Sequence, residues 1–99
     1  MTVNFEKNGT TLTVKPEGRL DSRTAPDLGT RLFEVLGDTS ELVFDLADLE
    51  YTSSAGLRVL LSAQQEMERR DASMKVIHVN KSVMEVFDMA GFLAFIDVE

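Results

Sequence analysis

The sequence predicts an α/β domain with a mixed, largely parallel β-sheet, and three observations lead to this prediction. The first is an N-terminal pair of alternating apolar and polar segments joined by Asn-Gly, which is typical of a β-hairpin. The second is the later alternation of short apolar segments with segments of helical apolar spacing, which indicates parallel strands joined by helices. The third is the length of 99 residues, which suits one hydrophobic core. We therefore expect residues 1–99 to form a single domain with an N-terminal hairpin and three to four helices.

The hairpin prediction rests on the residues around Asn8-Gly9. Val3 and Phe5 alternate with polar residues before this dipeptide, and Leu12 and Val14 do so after it. Asn and Gly both tolerate the positive φ angles of a tight hairpin turn. We expect two antiparallel strands here.

The first helix is predicted to begin near Thr24. Thr24 and Asp27 form a pattern that resembles a capping box, and Pro26 lies early in the first turn. Gly37 can end the helix in a left-handed conformation. Between these limits one buried stripe is expected, formed by Leu28, Leu32, Val35 and Leu36.

Three further segments are predicted to be strands. Residues 42–46 are almost continuously apolar, which favours a strand covered by helices on both faces. Residues 74–79 form another short apolar segment, and residues 93–98 a last one. Between them lie a second helix, ending near Arg70, and a third helix with Asn80 as N-cap and Gly91 at its end.

The composition excludes several classes of function. Ten Lys and Arg against 17 Asp and Glu give a net charge of −7 with His78 neutral, which disfavours a nucleic-acid partner. No cysteine is present, so neither disulfides nor thiolate metal sites are expected. The N-terminus lacks signal-peptide features, and no stretch approaches the ~20 apolar residues of a membrane span. We expect a cytoplasmic protein without a membrane partner, a metal or a cofactor.

The start of the second helix is the unusual place in the sequence. Three hydroxyl residues, Thr52 to Ser54, directly precede a helix whose first free amides would come from Ala55 to Leu57. Helix capping explains them, since Ser is among the commonest N-cap residues. A phosphate on Ser54 is a compatible second interpretation, because the positive end of a helix dipole tolerates negative charge. Arg58, one turn further on, would lie within reach of such a phosphate.

The same segments resemble the bacterial anti-sigma factor antagonists of the STAS domain family. The similarity runs over essentially the whole chain, and the Ser-Ser-Ala-Gly-Leu stretch in its strand-to-helix context is its most specific part. The matching segments are Gly18–Asp21, Thr24–Pro26, Leu42–Leu46, Tyr51–Leu61, Val83–Phe87 and Gly91-Phe92.

This resemblance implies a partner-switching protein and not an enzyme. In that family the unphosphorylated antagonist binds a serine kinase that is also an anti-sigma factor, and the sigma factor is released. Phosphorylation by that kinase blocks binding, and a serine phosphatase reverses it. By its position in the motif the acceptor is Ser54. Many relatives have Asp immediately before the acceptor, whereas this chain has Ser53, whose hydroxyl makes it the alternative acceptor. Asp21 matches a family acid that lies beside the phosphorylation loop.

The expected partner surface surrounds this acceptor. It combines the turn from Asp21 to Thr24, the turn from Thr52 to Ser54, which we call the hydroxyl turn, and the exposed face of the second helix. Its members are Asp21, Ser22, Thr24, Thr52, Ser53, Ser54, Ala55, Gly56, Arg58, Ser62 and Gln65.

Three other interpretations are open. A hydrolase would need Ser54, His78 and an acid such as Asp21 or Asp45 in a triad. Ser54 does not lie in a Gly-x-Ser-x-Gly elbow, and His78 is expected inside an apolar strand as a structural residue. A weak nucleotide-binding module would hold phosphate noncovalently at the same helix start. A STAS signalling module could also serve a sensory or phosphatase pathway without a sigma factor.

Overall fold

The chain opens with the predicted hairpin. In the computed structural model, which describes residues 1–99, β1 (Thr2–Asn8) pairs antiparallel with β2 (Thr11–Leu20). Gly9 takes a φ of 64° in the connecting turn, a conformation that costs glycine little. The hairpin prediction is confirmed.

The remaining elements confirm a mixed, largely parallel sheet. β3 (Glu41–Asp45) lies between β2 and β5 (Ser73–Ile77) and is parallel to both, whereas β4 (Leu49–Thr52) pairs in parallel with the end of β2. β4 was not expected from the sequence. The elements after the hairpin are α1 (Ala25–Val35), β3 (Glu41–Asp45), β4 (Leu49–Thr52), α2 (Ser54–Arg69), β5 (Ser73–Ile77), α3 (Lys81–Met89) and a 3₁₀ turn (Phe92–Ala94).

One face of the sheet carries the hydrophobic core. Alternate residues along β3 point to opposite faces: Leu42 and Phe44 join a cluster of 22 buried residues, whereas Val43 is buried outside it. All three helices contribute to this same cluster. Thr13 and Lys75, the register partners of Val43, are half-buried on the other face. The expectation that helices cover both faces is therefore wrong.

Both ends of α3 follow the prediction. The Asn80 side chain accepts a hydrogen bond from the Val83 amide at 2.8 Å, and its amide group donates to the Leu49 carbonyl at 2.7 Å. Gly91 takes a φ of 68° after the helix. The ring of Phe92 then packs 5.0 Å from that of Phe87, measured between centroids. The cap therefore also ties α3 to the start of β4.

Two details of the prediction need correction. Val35 belongs to the predicted buried stripe of α1, but its side chain is exposed, while Leu36 beyond it is buried. The segment after Gly91 is not a strand of its own, because it forms a 3₁₀ turn and only Val98 bridges in parallel to Val76 of β5. No helix of the structure combines the length and apolar character needed to cross a bilayer.

Candidate functional site

The turn between β4 and α2 is fastened to the end of β2. The Ser53 amide donates to the Leu20 carbonyl at 2.8 Å. Thr52 is buried, and its hydroxyl donates to the Ser53 carbonyl at 3.1 Å. These bonds fix the backbone that leads into α2, so the residues that follow are held in a defined position.

The two serines of this turn differ in accessibility. The Ser53 hydroxyl is buried and has no hydrogen-bond partner, whereas Ser54, the first residue of α2, is exposed. Ser53 is the N-cap, but only its carbonyl caps the helix, accepting from the amides of Gly56 at 3.0 Å and Leu57 at 3.2 Å. The expected hydroxyl cap is therefore wrong. The amides of Ser54 and Ala55 have no backbone acceptor.

Gly56 explains how α2 can begin so close to the sheet. A Cβ atom at this position would lie 2.7 Å from Leu20 Cγ and 2.8 Å from Leu20 Cδ2, and closer still to the Thr52 hydroxyl. Only a residue without a side chain lets the first turn of the helix approach β2 and β4 this closely. The glycine thereby allows the short distance between the start of α2, where Ser54 lies, and the sheet.

The turn after β2 lies beside the hydroxyl turn, because Leu20 is shared between them. The Asp21 carboxylate accepts hydrogen bonds from the amides of Arg23 at 2.9 Å and Thr24 at 3.3 Å. The Arg23 amide is the main cause of the lowered pKa of Asp21, with smaller contributions from the Thr24 amide and hydroxyl. Asp21 is thus ionised and acts as a backbone-organising residue at the entrance to α1.

The capping box predicted for α1 is wrong. Thr24 is the N-cap, but its hydroxyl donates to the Arg19 carbonyl at 2.9 Å and makes no cap bond to the helix. Asp27 instead lies 3.6 Å from Arg31, one turn along the helix. Pro26 does stand in the first turn, as predicted.

The residues predicted to face the partner differ in solvent exposure. The exposed ones are Ser22, Ser54, Arg58, Ser62 and Gln65. The half-buried ones are Asp21, Thr24, Ser53 and Ala55. Thr52 and Gly56 are buried, so they lie beneath the site and position it from below.

Three arginines on the elements that form this site make no ion pair. Six of the ten basic side chains lie within 4.0 Å of a carboxylate: Lys7, Lys15, Arg31, Arg69, Arg70 and Lys75. The other four are Arg19 near the end of β2, Arg23 in the turn after it, Arg58 near the start of α2 and Lys81 at the start of α3. The Arg19 guanidinium stacks on Tyr51, 4.3 Å from the ring centroid. Arg19 and Arg23 share a shallow depression with the carboxylates Glu17 and Asp21, whereas Arg58 has no carboxylate within ion-pair distance.

An open groove of about 340 Å³ runs between α1 and α2 beside the same site. Phe33 forms part of its wall and is 45% exposed. Its lining residues are Gly29, Thr30, Phe33, Arg58, Val59 and Ser62. Arg58 and Ser62 were expected on the partner surface as exposed residues of the second helix, but a groove shared with α1 was not expected. The only signal on the α1 side was Gly29, a poor helix former inside a predicted helix.

His78 and Asp45 form a separate pair at the ends of β5 and β3. His78 follows β5 with a φ of 58°, and its side chain is 64% exposed. Its Nδ1 donates to Asp45 Oδ1 at 2.9 Å. Burial acts to raise the pKa of Asp45, but the bonds from His78 and the Ala47 amide hold that pKa below its ordinary value. The expectation that His78 lies inside an apolar strand is wrong.

The structure does not assemble the triad considered for a hydrolase. No hydrogen bond joins Ser54 to His78, Asp45 or Asp21. No group of three or more His, Cys, Asp or Glu side chains is arranged to hold a metal ion. The structure does bring together the hydroxyl turn and the Asp21 turn, and Arg58 lies one helical turn beyond Ser54 on α2.

The chain belongs to the STAS domain family, because the sequence model of the STAS domain matches residues 2–99. Among curated relatives, BtrV of Bordetella bronchiseptica, assigned as an anti-sigma factor antagonist, is 32% identical over 83 residues, which cover 83% of this chain and 72% of BtrV. The anti-sigma-B factor antagonist of Bacillus subtilis strain 168 is 25% identical over 96 residues, covering 97% of this chain and 88% of that protein.

The fold also matches solved structures of an anti-sigma factor antagonist. SpoIIAA in its unphosphorylated form superposes with a TM-score of 0.79 at 17% identity, covering 99% of this chain and 88% of SpoIIAA. The phosphorylated form of SpoIIAA, described as a Bacillus cell fate determinant, gives a TM-score of 0.77 at 15% identity, covering 99% of this chain and 91% of SpoIIAA. At these identities the likeness establishes the fold.

Proposed function

We propose that this protein is an anti-sigma factor antagonist that works by partner switching. Its unphosphorylated form binds a serine-kinase anti-sigma factor in the cytoplasm, and the sigma factor held by that kinase is released. Two lines of support are membership of the STAS domain family and the names of the relatives BtrV and the anti-sigma-B factor antagonist. The observation that carries the proposal is an exposed serine at the first residue of α2.

Ser54 is the phosphate acceptor in this proposal, and the geometry favours it over Ser53. A kinase must reach the hydroxyl it modifies, and the Ser53 hydroxyl is buried while Ser54 is exposed. The amides of Ser54 and Ala55 lack backbone acceptors at the N-terminus of a 16-residue helix. Such a helix end tolerates a phosphate through its dipole and free amides. Modification therefore does not require the domain to refold.

Phosphorylation acts in this scheme by placing charge in an interface built around a neutral hydroxyl. A phosphoserine carries about −1.5 to −2 charges at pH 7. An unpaired charge buried in an interface costs about 3–5 kcal/mol, and each 1.4 kcal/mol is roughly tenfold in affinity. One phosphate is sufficient to release the kinase, and removal of the phosphate by a serine phosphatase restores binding.

Phosphorylation by a purified serine-kinase anti-sigma factor from the same organism tests the acceptor. We expect peptide mass spectrometry to locate the phosphate on Ser54, and Ser54→Ala to abolish its incorporation. Ser53→Ala and Ser82→Ala serve as controls, the latter because Ser82 is also an exposed serine in the first turn of a helix. Phosphorylation of Ser54→Ala to the wild-type level would refute the assignment.

Binding of the same kinase tests the switch. Ser54→Asp is expected to weaken the complex by at least about tenfold, which is 1.4 kcal/mol, and Ser54→Ala to preserve it. Isothermal titration calorimetry with ADP-loaded kinase measures both without further phosphorylation. Equal affinities of Ser54→Asp and the wild type would contradict the partner-switching proposal.

A further inference from the structure

The groove between α1 and α2 exposes apolar surface next to the proposed phosphate acceptor. Phe33 on the α1 side is 45% exposed, and Val59 lines the groove from α2. Gly29 lines the groove on the α1 side, where a Cβ atom would meet Val59 only at the ordinary contact distance of 3.8 Å, so a longer side chain at this position would extend into the groove. Partly buried aromatic walls around a recess are typical of places where a partner inserts an apolar side chain.

The charge of the groove indicates what else the occupant carries. Arg58 lines it and has no carboxylate within ion-pair distance, and none of the other five lining residues is acidic. The chain has 17 acidic and ten basic residues, and yet none of its own carboxylates pairs with the Arg58 guanidinium. Complementary charge across an interface is what steers and orients a protein partner.

We propose that this groove receives a segment of the kinase partner in which an apolar side chain lies beside a carboxylate. The apolar side chain packs between Phe33 and Val59, and the carboxylate pairs with the Arg58 guanidinium. This inference rests on the proposed function and adds the chemistry of the partner segment and the α1 side of its docking surface.

The same placement links docking to phosphorylation. Ser54 and Arg58 are separated by four residues on α2, so they are neighbours on one helix face. A phosphate on Ser54 competes with the partner's carboxylate for the Arg58 guanidinium. Phosphorylation therefore adds a charge that repels the partner's carboxylate and also occupies the cation that this carboxylate needs. Arg58 pairs with the partner's carboxylate in the complex and with the phosphate after phosphorylation.

Calorimetric titration with the purified kinase tests the groove. Gly29→Leu fills it and Phe33→Ala removes its wall, and each is expected to weaken binding by at least about tenfold. Phe95→Ala is the matched control, because Phe95 is a 66% exposed phenylalanine near the C-terminal end of the fold; it is expected to bind within about twofold of wild type. Thermal melts of each variant show that the domain remains folded.

A double-mutant cycle tests the shared cation. Arg58→Gln is expected to weaken binding by itself, and Ser54→Asp is expected to cause a smaller fold-loss in the Arg58→Gln background than in the wild type. Lys81→Gln, which removes another unpaired cation, is the charge control and should leave the affinity unchanged. An equal fold-loss from Ser54→Asp in both backgrounds overturns the shared role of Arg58.

The outcomes separate this inference from the function it rests on. If the wild type binds the kinase and Ser54→Asp weakens that complex, while Gly29→Leu and Phe33→Ala bind as the wild type does, the groove is not the docking site and the proposed function stands. If the wild type does not bind the kinase at all, the proposed function fails and the groove inference fails with it.

Discussion

The replacement of Gly56 by alanine is expected to destabilise the domain, although alanine is the better helix former. The added Cβ would overlap the Thr52 hydroxyl and lie 2.7 Å from Leu20 Cγ. Both neighbours are about 1% exposed, so neither can move into solvent. Overpacking of this kind costs about 1–3 kcal/mol, and the gain in helix propensity offsets at most about 1 kcal/mol. Because the added atom would overlap two buried neighbours, the cost lies at the upper end of that range, and the net loss is expected to be about 2 kcal/mol.

Gly29→Ala provides the matched control for this measurement. Gly29 also lies inside a helix, but its added Cβ would meet Val59 at 3.8 Å, an ordinary contact distance. This variant is expected to gain up to about 1 kcal/mol. Urea unfolding gives both free energies, and thermal melts should show shifts of roughly 4–8 °C per kcal/mol. Equal stability of the two variants would refute the steric role of Gly56.

Three further changes test the electrostatics and caps. Hydrogen bonds from Arg69 and then Arg70 lower the pKa of Glu66 from its ordinary 4.5 to about 2. Since this folded-state pKa is depressed, the stabilisation is present above pH 4.5 and is lost as the pH falls toward 2, so urea unfolding should show wild type and Glu66→Gln converging over that range. Asn80→Ala is expected to cost about 1–2 kcal/mol, because it removes a helix cap and a bond to β4; a change below about 0.3 kcal/mol in urea unfolding would contradict the cap's importance. Ser53→Ala should unfold at the same or a higher urea concentration, since it deletes a buried hydroxyl without a partner, and a clear loss of stability would show that the hydroxyl is bonded.

The elements that could be predicted from the sequence are those that local chemistry specifies. Asn8-Gly9 determines the hairpin turn, Asn80 the start of α3, and Gly91 with Phe92 its end, because each acts within a few residues of itself. These predictions are confirmed by the structure. The hydroxyl turn before α2 could be predicted for a similar reason, since a run of hydroxyl residues before a helical apolar pattern is visible in the sequence alone.

The parts that could not be predicted depend on tertiary contacts. β4 has only four residues with a buried residue at each end, so it shows no strand periodicity and forms because β2 offers it an edge. The predicted capping by the Thr24 side chain is wrong because the turn brings the Arg19 carbonyl close, and the Thr24 hydroxyl bonds to that carbonyl and makes no bond to the helix. The different burial of Ser53 and Ser54 also depends on how close α2 approaches the sheet, which no local pattern encodes.

The last residues of the described chain close the outer edge of β5. The Val76 amide donates to the Asp97 carbonyl and the Glu99 amide donates to the Val76 carbonyl, each at 2.8 Å. An edge strand with free amides and carbonyls invites another molecule to add a strand, which is how sheet proteins polymerise. This short segment therefore occupies the Val76 part of the β5 edge, where an added strand would otherwise pair, and it does so without a full strand of its own.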